Sequence, residues 1–214
     1  MRPNQLWDLD GTLTDPRTGI TRCFQHALRS AGLPVPPEDE LLWIIGPPLQ
    51  DSFAKLLPGA SEAEVWRLVT TYRERYATVG IFENTLYADI PSLLRAVGHR
   101  RNFLATSKPR VFAEQVLAHF GLSGLLQGTY GSELSGERSD KGQLLAWLLE
   151  QERIDPRDAV MIGDRKHDVA GAKAVGALAV GVTWGYGSRA ELEDAGADHV
   201  FDSPRELQAF LLGP

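Results

Sequence analysis

Two aspartates two residues apart, Asp8 and Asp10 in the string WDLDGTLTD, close a short apolar stretch and open a turn. At the two-residue period of a strand both side chains leave the same face, near enough to repel one another. Both stay ionised only where a cation or hydrogen-bond donors sit between them. A magnesium ion would supply that charge, leaving one carboxylate to attack phosphorus and the other to carry a proton to and from an ester oxygen. The alternative is a strand from Gln5 to Leu9 running into an Asx turn at Asp10-Gly11-Thr12, with no chemistry attached.

Further polar groups fall where later apolar runs end. Thr106 and Ser107 follow NFLA, Gly163-Asp164 closes AVMIGD with Asp168 one helical turn beyond, and Lys141 opens the helical pattern GQLLAWLLEQ. Singly each has an ordinary role: an N-cap at Thr106 or Ser107, a solvated lysine, acids complementing a helix dipole. Together they supply a nucleophile, a proton carrier, an oxygen-rich metal site and a phosphate clamp, the mixture that metal-assisted phosphoryl transfer requires. Helix N-termini at Thr106 and Lys141 would add backbone donors for an anion.

These groups need a scaffold that gathers strand ends, and the periodicity predicts one. Beyond Phe82 helix and strand alternate: a helix from Ile90 to Gly98, strand NFLATS, helix RVFAEQVLAHFG, strand GTYGSE, helix GQLLAWLLEQ, strand AVMIGD, helix DVAGAKAVG, strands LAVGVTW and HVF, and a helix from Pro204. Joined to the first strand, this is an α/β fold with a doubly wound parallel sheet, whose ligands gather beyond the carboxyl ends of the strands. Between Pro16 and about Gly80 no strand pattern occurs. Ile20, Cys23, Phe24, Ala27, Leu28 and Ala31 form one helical stripe, two short helices flank Gly46-Pro47-Pro48, and Ser61 with Glu64 has capping-box spacing. The expected organisation is a catalytic core from residues 1–15 and 83–214 with an inserted all-helical block at 16–82.

The 214 residues suffice for one sizeable core with a smaller insert, and 43% hydrophobic with 23% charged residues describes an ordinary globular chain. No apolar run approaches bilayer length and MRPNQLW lacks the apolar region of a signal peptide, so a cytoplasmic protein without membrane partners is expected. A net charge of −6 argues against a nucleic-acid polymer as partner, and requires local positive charge to draw in any anionic substrate. One cysteine, Cys23, excludes an internal disulfide and a cysteine metal site, and its helical position favours packing.

WDLDGTLTD, ATSKP, Lys141 and IGDRKHD, in that order, resemble the four motifs of the haloacid dehalogenase superfamily of phosphatases, and the match spans nearly the whole chain. The helical insert resembles the small bundle cap of the phosphoglycolate phosphatase and 5′-nucleotidase-like branch. ENTLYADI, ATSKPRVFAEQVL, YGSEL followed by RSDK, and IGDRKHDVAGAK are most similar to its 5′-nucleotidase-like members. Trp7 stands where phenylalanine is usual, at a position that faces packing. The resemblance implies a Rossmann-like core with an inserted cap. It implies a magnesium-dependent hydrolase acting through an aspartyl-phosphate on a small phosphorylated metabolite, such as a nucleoside monophosphate or phosphoglycolate. By it Asp8 is the nucleophile and Asp10 the general acid and then base. Gly11, Thr106 and the Ser107 backbone hold phosphate oxygens, and Lys141 neutralises Asp8 and phosphate. Asp164 binds Mg2+ with Asp8 and the Asp10 carbonyl, and Asp168 supports the metal or Lys141.

Rival readings remain. A phosphomutase of the same superfamily shares the quartet, whereas dehalogenases and phosphonate hydrolases replace the second acid, present here as Asp10. A phospho-receiver module would carry its metal-binding acids as neighbours on the first strand and lack the insert, and a non-catalytic binding module would lack a catalytic group. In the insert, Gly46, Pro47, Pro48 and Gln50 either face substrate or form only an interhelix turn. Trp43, Phe53 and Tyr72 either stack on a base or belong to the core, and Lys55 reads as a solvated helix lysine rather than a Schiff-base residue.

Overall fold

The computed structural model describes residues 2–213; Met1 and Pro214, the outermost residues of the expected core segments, lie outside the described residues. Strand β1 (Asn4–Trp7) is followed at once by the turn that carries Asp8 and Asp10, so the strand stops two residues short of the expected Leu9. After β2 (Thr14–Asp15) the chain enters a run of helices: α1 (Arg17–Ser30), a 3-10 turn (Glu38–Ile44), α2 (Leu49–Leu56) and α3 (Glu62–Tyr76). Ser61 caps α3 as its spacing predicts, accepting from the Glu64 amide at 3.3 Å while its own amide donates to Glu64 Oε2 at 2.8 Å. The first of the two expected short helices has tightened to 3-10 geometry. The run ends at β3 (Thr85–Leu86), antiparallel to β2 with Thr14 opposite Leu86 and Asp15 opposite Thr85. Strands of two residues have no period, so local sequence carries no signal for this ribbon.

The rest alternates as expected: α4 (Ile90–Ala96), β4 (Arg101–Pro109), α5 (Arg110–His119), β5 (Gly128–Ser132), α6 (Lys141–Glu152), β6 (Ala159–Gly163), α7 (Lys166–Val175), β7 (Leu178–Val182), α8 (Arg189–Asp194), β8 (His199–Phe201) and α9 (Pro204–Leu212). Helix α8, one and a half turns long, is an addition to the expected set. The six long strands form one parallel sheet in the order β5-β4-β1-β6-β7-β8, with Trp7 opposite both Leu104 and Ile162. From β1 the chain winds outward both ways, which makes the carboxyl end of β1 the switch point where ligands bind in such sheets.

Alternation along the strands divides the core. Leu6, Phe103, Ala105, Met161 and Ala179 face α6 and α7 through Leu145, Leu148, Val169 and Ala172. Trp7, Leu104, Ile162 and Val180 face the other way, in a cluster that includes Leu93, Val116 and Leu207 and continues into the helical run through Phe24, Phe53 and Val69. Fully burying one such side chain contributes about 1.5–3 kcal/mol, so this shared cluster ties the helices to the sheet. Trp7 is fully buried with its indole N–H donating to Asn102 Oδ1 at 3.0 Å, in keeping with a packing position. No helix among the described residues is long and apolar enough to cross a membrane.

Candidate active site

Asp8 is held at the switch point by its amide, which donates to Ile162 O at 2.9 Å and extends the ladder with β6 by one bond. Its buried carboxylate meets the ammonium of Lys141, which donates to Asp8 Oδ1 and to Ala105 O at 2.8 Å each and pairs with Asp168 Oδ1 at 2.8 Å. Asp140 caps α6, accepting from the Gln143 amide at 2.9 Å, so Lys141 occupies the first helical position and points into the sheet end. Burial disfavours the Lys141 charge, yet Asp168 and Asp8 more than offset it and raise its pKa.

Asp164 directly follows β6 and is fully buried. Tyr186 N donates to its Oδ2 at 2.7 Å, and Thr12 Oγ1 to its Oδ1 at 3.4 Å. Gly11, at φ +88°, has no Cβ because one would lie 2.2 Å from Asp164 Oδ2. Asp8, Asp164 and Asp168 bring carboxylate oxygens within 4.8 Å of one another. Burial, then Asp168 and Asp8, push the Asp164 carboxyl well above the usual carboxylate range. Lys141 touches two of the three acids, so the trio retains excess negative charge, and its all-oxygen donor set suits a hard divalent cation such as magnesium.

The Asp10 side chain is not among the three clustered acids. Its Oδ2 accepts from the ammonium of Lys108, so a lysine donor meets this carboxylate. Burial raises the Asp10 carboxyl and Lys108 pulls against it. Thr106 is buried beside both aspartates, but β4 runs on to Pro109 and α5 starts only at Arg110, so Thr106 is neither an N-cap nor at a helix N-terminus. Its Oγ1 accepts instead from the Lys108 amide at 3.3 Å, within the strand end.

Over these groups lies a chamber of about 70 Å³, bounded below by Asp8, Asp10, Thr106, Ser107 and Lys108 and above by Gly46, Pro47, Pro48, Gln50, Tyr72 and Tyr76 of the helical run. A wider cavity of about 560 Å³ adjoins it across Pro47, Pro48, Ser107 and Ser139, with Trp43 and Lys55 on its wall. Gln50 Nε2 donates to Ser139 Oγ at 3.2 Å, and the buried Arg165 guanidinium reaches across to Ile45 O while its Nε donates to Glu191 at 2.9 Å. Of the aromatic candidates, Tyr72 lines the chamber and Trp43 the outer cavity, whereas Phe53 is fully buried and stacked on Phe24 with centroids 4.0 Å apart. Lys55 is exposed, its ammonium 4.5 Å from the Trp43 ring centre.

Three residues at the site were not singled out from sequence. Lys108 lies inside the quoted ATSKP, where a lysine after two hydroxyls reads as surface. Arg165 lies inside IGDRKHD, where the acids are the stronger chemical signal. Tyr186 sits in a glycine-rich turn without periodicity, and its hydroxyl donates to Asp15 on β2 while its amide serves Asp164.

The profile of the haloacid dehalogenase-like hydrolases matches residues 5–182. Among curated relatives, a 5′-nucleotidase of Pseudomonas aeruginosa is 45% identical over 192 residues, covering 89% of this chain and 86% of that protein. Tyrosine-protein kinase PtkA of Mycobacterium tuberculosis is 41% identical over 192 residues, which is 88% of this chain but 64% of the kinase. Among solved structures, a predicted phosphatase from Clostridium acetobutylicum superimposes with a TM-score of 0.96 at 36% identity over 99% of both chains. With its six-stranded parallel sheet and acids gathered at the end of β1, the chain belongs to the haloacid dehalogenase-like hydrolases, among the phosphatases of that family.

Proposed function

We propose that the protein is a magnesium-dependent phosphomonoester hydrolase that works through an aspartyl-phosphate on Asp8. The observation that carries this reading is the pairing of Asp8 with Lys141 at 2.8 Å inside a buried trio of acids, at the floor of the chamber beneath the helical run. Asp8, Asp164 and Asp168, with the Asp10 carbonyl, would hold the magnesium ion, which when bound neutralises phosphate and carboxylate charge and so favours attack by one anion on another.

The chain's own groups account for the rest. Asp8 attacks phosphorus as the ester P–O bond breaks, and Asp10 gives its proton to the departing alcohol oxygen. Thr106 and the Ser107 backbone orient the phosphate oxygens, with Gly11 keeping the floor open, while Lys141 offsets the charge that accumulates on Asp8. Asp10 then takes a proton from water as that water attacks phosphorus and the Asp8–phosphorus bond breaks, releasing inorganic phosphate. Residues 16–82 act as a cap whose two crossings, β2 and β3, lie side by side and can hinge together. Closure excludes bulk water and strengthens every charge interaction beneath it.

The substrate is a small phosphorylated metabolite. The inner chamber of about 70 Å³ suits a compact leaving group, and a nucleoside would extend past Pro47-Pro48 toward Trp43 or require the cap to open. The test is release of phosphate from p-nitrophenyl phosphate, nucleoside monophosphates, phosphoglycolate and sugar phosphates, with magnesium and with excess chelator. Turnover that chelator abolishes and magnesium restores is expected. Absence of turnover with every monoester would refute the reading, and transfer of phosphate between two positions of one sugar would indicate a mutase.

A further inference from the structure

Lys108 has no place in the steps above, yet the fold goes to some length to bury it. Between Thr106 and Pro109 the pairing of β4 with β5 slips: Thr106 lies opposite Gly131 and Pro109 opposite Ser132, adjacent residues on β5. Ser107 and Lys108 are therefore a bulge, a device that re-aims side chains beside active sites. Gly131 makes room for it, since a Cβ there would lie 2.7 Å from Lys108 O. Ser132 Oγ ties the bulge down by donating to Ser107 O at 2.9 Å.

The result is an ammonium whose side chain is only 7% exposed, paired with Asp10 Oδ2 and lying 5.0 Å from the centre of the Tyr76 ring, which the helical block supplies. A buried cation is costly unless paired, and the carboxylate and the ring face are what offset that cost here. The same bond settles Asp10. With Oδ2 engaged, Oδ1 is left buried with no hydrogen-bond partner among the described residues, on a side chain that lines the chamber. An orphaned oxygen next to a reaction chamber is one kept for a group that arrives with the substrate.

We infer that Lys108 is a positioning residue for proton transfer: it fixes Asp10 through Oδ2 so that Oδ1 faces the leaving-group oxygen, and it does so only while Tyr76 of the cap covers it. This rests on Asp10 being the proton carrier. The consequence is specific to leaving groups. An alkoxide must be protonated as it departs, whereas p-nitrophenolate departs without a proton, so misorienting Asp10 harms alkyl esters far more than activated aryl esters.

The test compares kcat/KM of the wild type, Lys108→Met and Lys108→Gln for p-nitrophenyl phosphate, phenyl phosphate and phosphoglycolate, because kcat/KM reports the steps through departure of the alcohol. Lys108→Met should lose about 10²-fold with the alkyl ester, and at least about tenfold less with the nitrophenyl ester. Lys108→Gln, which keeps an N–H donor and serves as the milder variant should the methionine compromise folding, should recover part of the alkyl activity. In an Asp10→Asn background the Lys108 substitution should add no further leaving-group dependence. Equal losses across the three esters, or a raised KM with kcat and its leaving-group dependence unchanged, would overturn the inference and make Lys108 a substrate-binding or purely structural cation. Normal wild-type turnover with such uniform losses sinks only this assignment; no turnover by the wild type sinks the phosphatase reading with it.

Discussion

The ammonium of Lys141 lies 2.8 Å from Asp8 Oδ1 across 133 residues of sequence, and the same nitrogen is 2.8 Å from Asp168 Oδ1. One cation thus joins the first strand, the start of α6 and the first turn of α7. Its two carboxylate partners tie these elements together, so its removal should be visible in stability as well as in turnover.

Replacing Asp8 by asparagine keeps the volume and the amide to Ile162 O but removes the anionic oxygen. Turnover should fall at least about 10³-fold with the fold retained. Acid quench of the wild type during turnover, followed by mass mapping, should find phosphate on Asp8. Phosphate mapped to any other residue would overturn the assignment.

Lys141→Met leaves Asp8 and Asp168 buried without their shared partner. In chelator the variant should be less stable than the wild type by about 3 kcal/mol or more, read by urea unfolding. Magnesium should raise the midpoint of the variant more than that of the wild type, because the acids then depend on the added cation alone. Identical responses to magnesium would show that the trio does not bind it.

Gln50 touches Ser139 across the chamber wall, and Pro48 separates the inner chamber from the outer cavity. Gln50→Ala or Pro48→Gly should change preference among phosphomonoesters, with p-nitrophenyl phosphate less affected than the preferred natural substrate. Equal proportional losses of kcat/KM over a panel would locate specificity elsewhere in the cap.

Cys23 is buried in α1, where Arg75 donates to its sulfur at 3.1 Å. Burial pushes the thiol pKa up and Arg75 only partly opposes it, so at pH 8 little thiolate forms in the folded state. Alkylation by iodoacetamide should be slower than in urea by on the order of 10²-fold. Equal rates would mean that the helical block opens readily.

Much of this protein is legible along the chain. The alternation of strand and helix beyond Phe82, the helical character of 16–82, and the acids and hydroxyls at strand ends are local patterns, set by side-chain period and turn chemistry that neighbours in sequence express. Asp8, Thr106, Lys141, Asp164 and Asp168 come together because each closes a strand or opens a helix at one rim of a parallel sheet, and that placement follows from topology alone. The tertiary structure decided what local pattern cannot carry. The two-residue strands β2 and β3 have no period, and exist because they pair with each other across the whole helical run. Asp10 is paired with Lys108 because a bulge on β4, matched by Gly131 on β5, aimed that lysine at it; a register slip between two strands is a property of the pair and of neither sequence read alone. Phe53 lies wholly in the core whereas Tyr72, also part of the core cluster, lines the chamber as well, although both are aromatics at helical spacing; which face of a helix meets the site depends on how the helical block packs against the sheet.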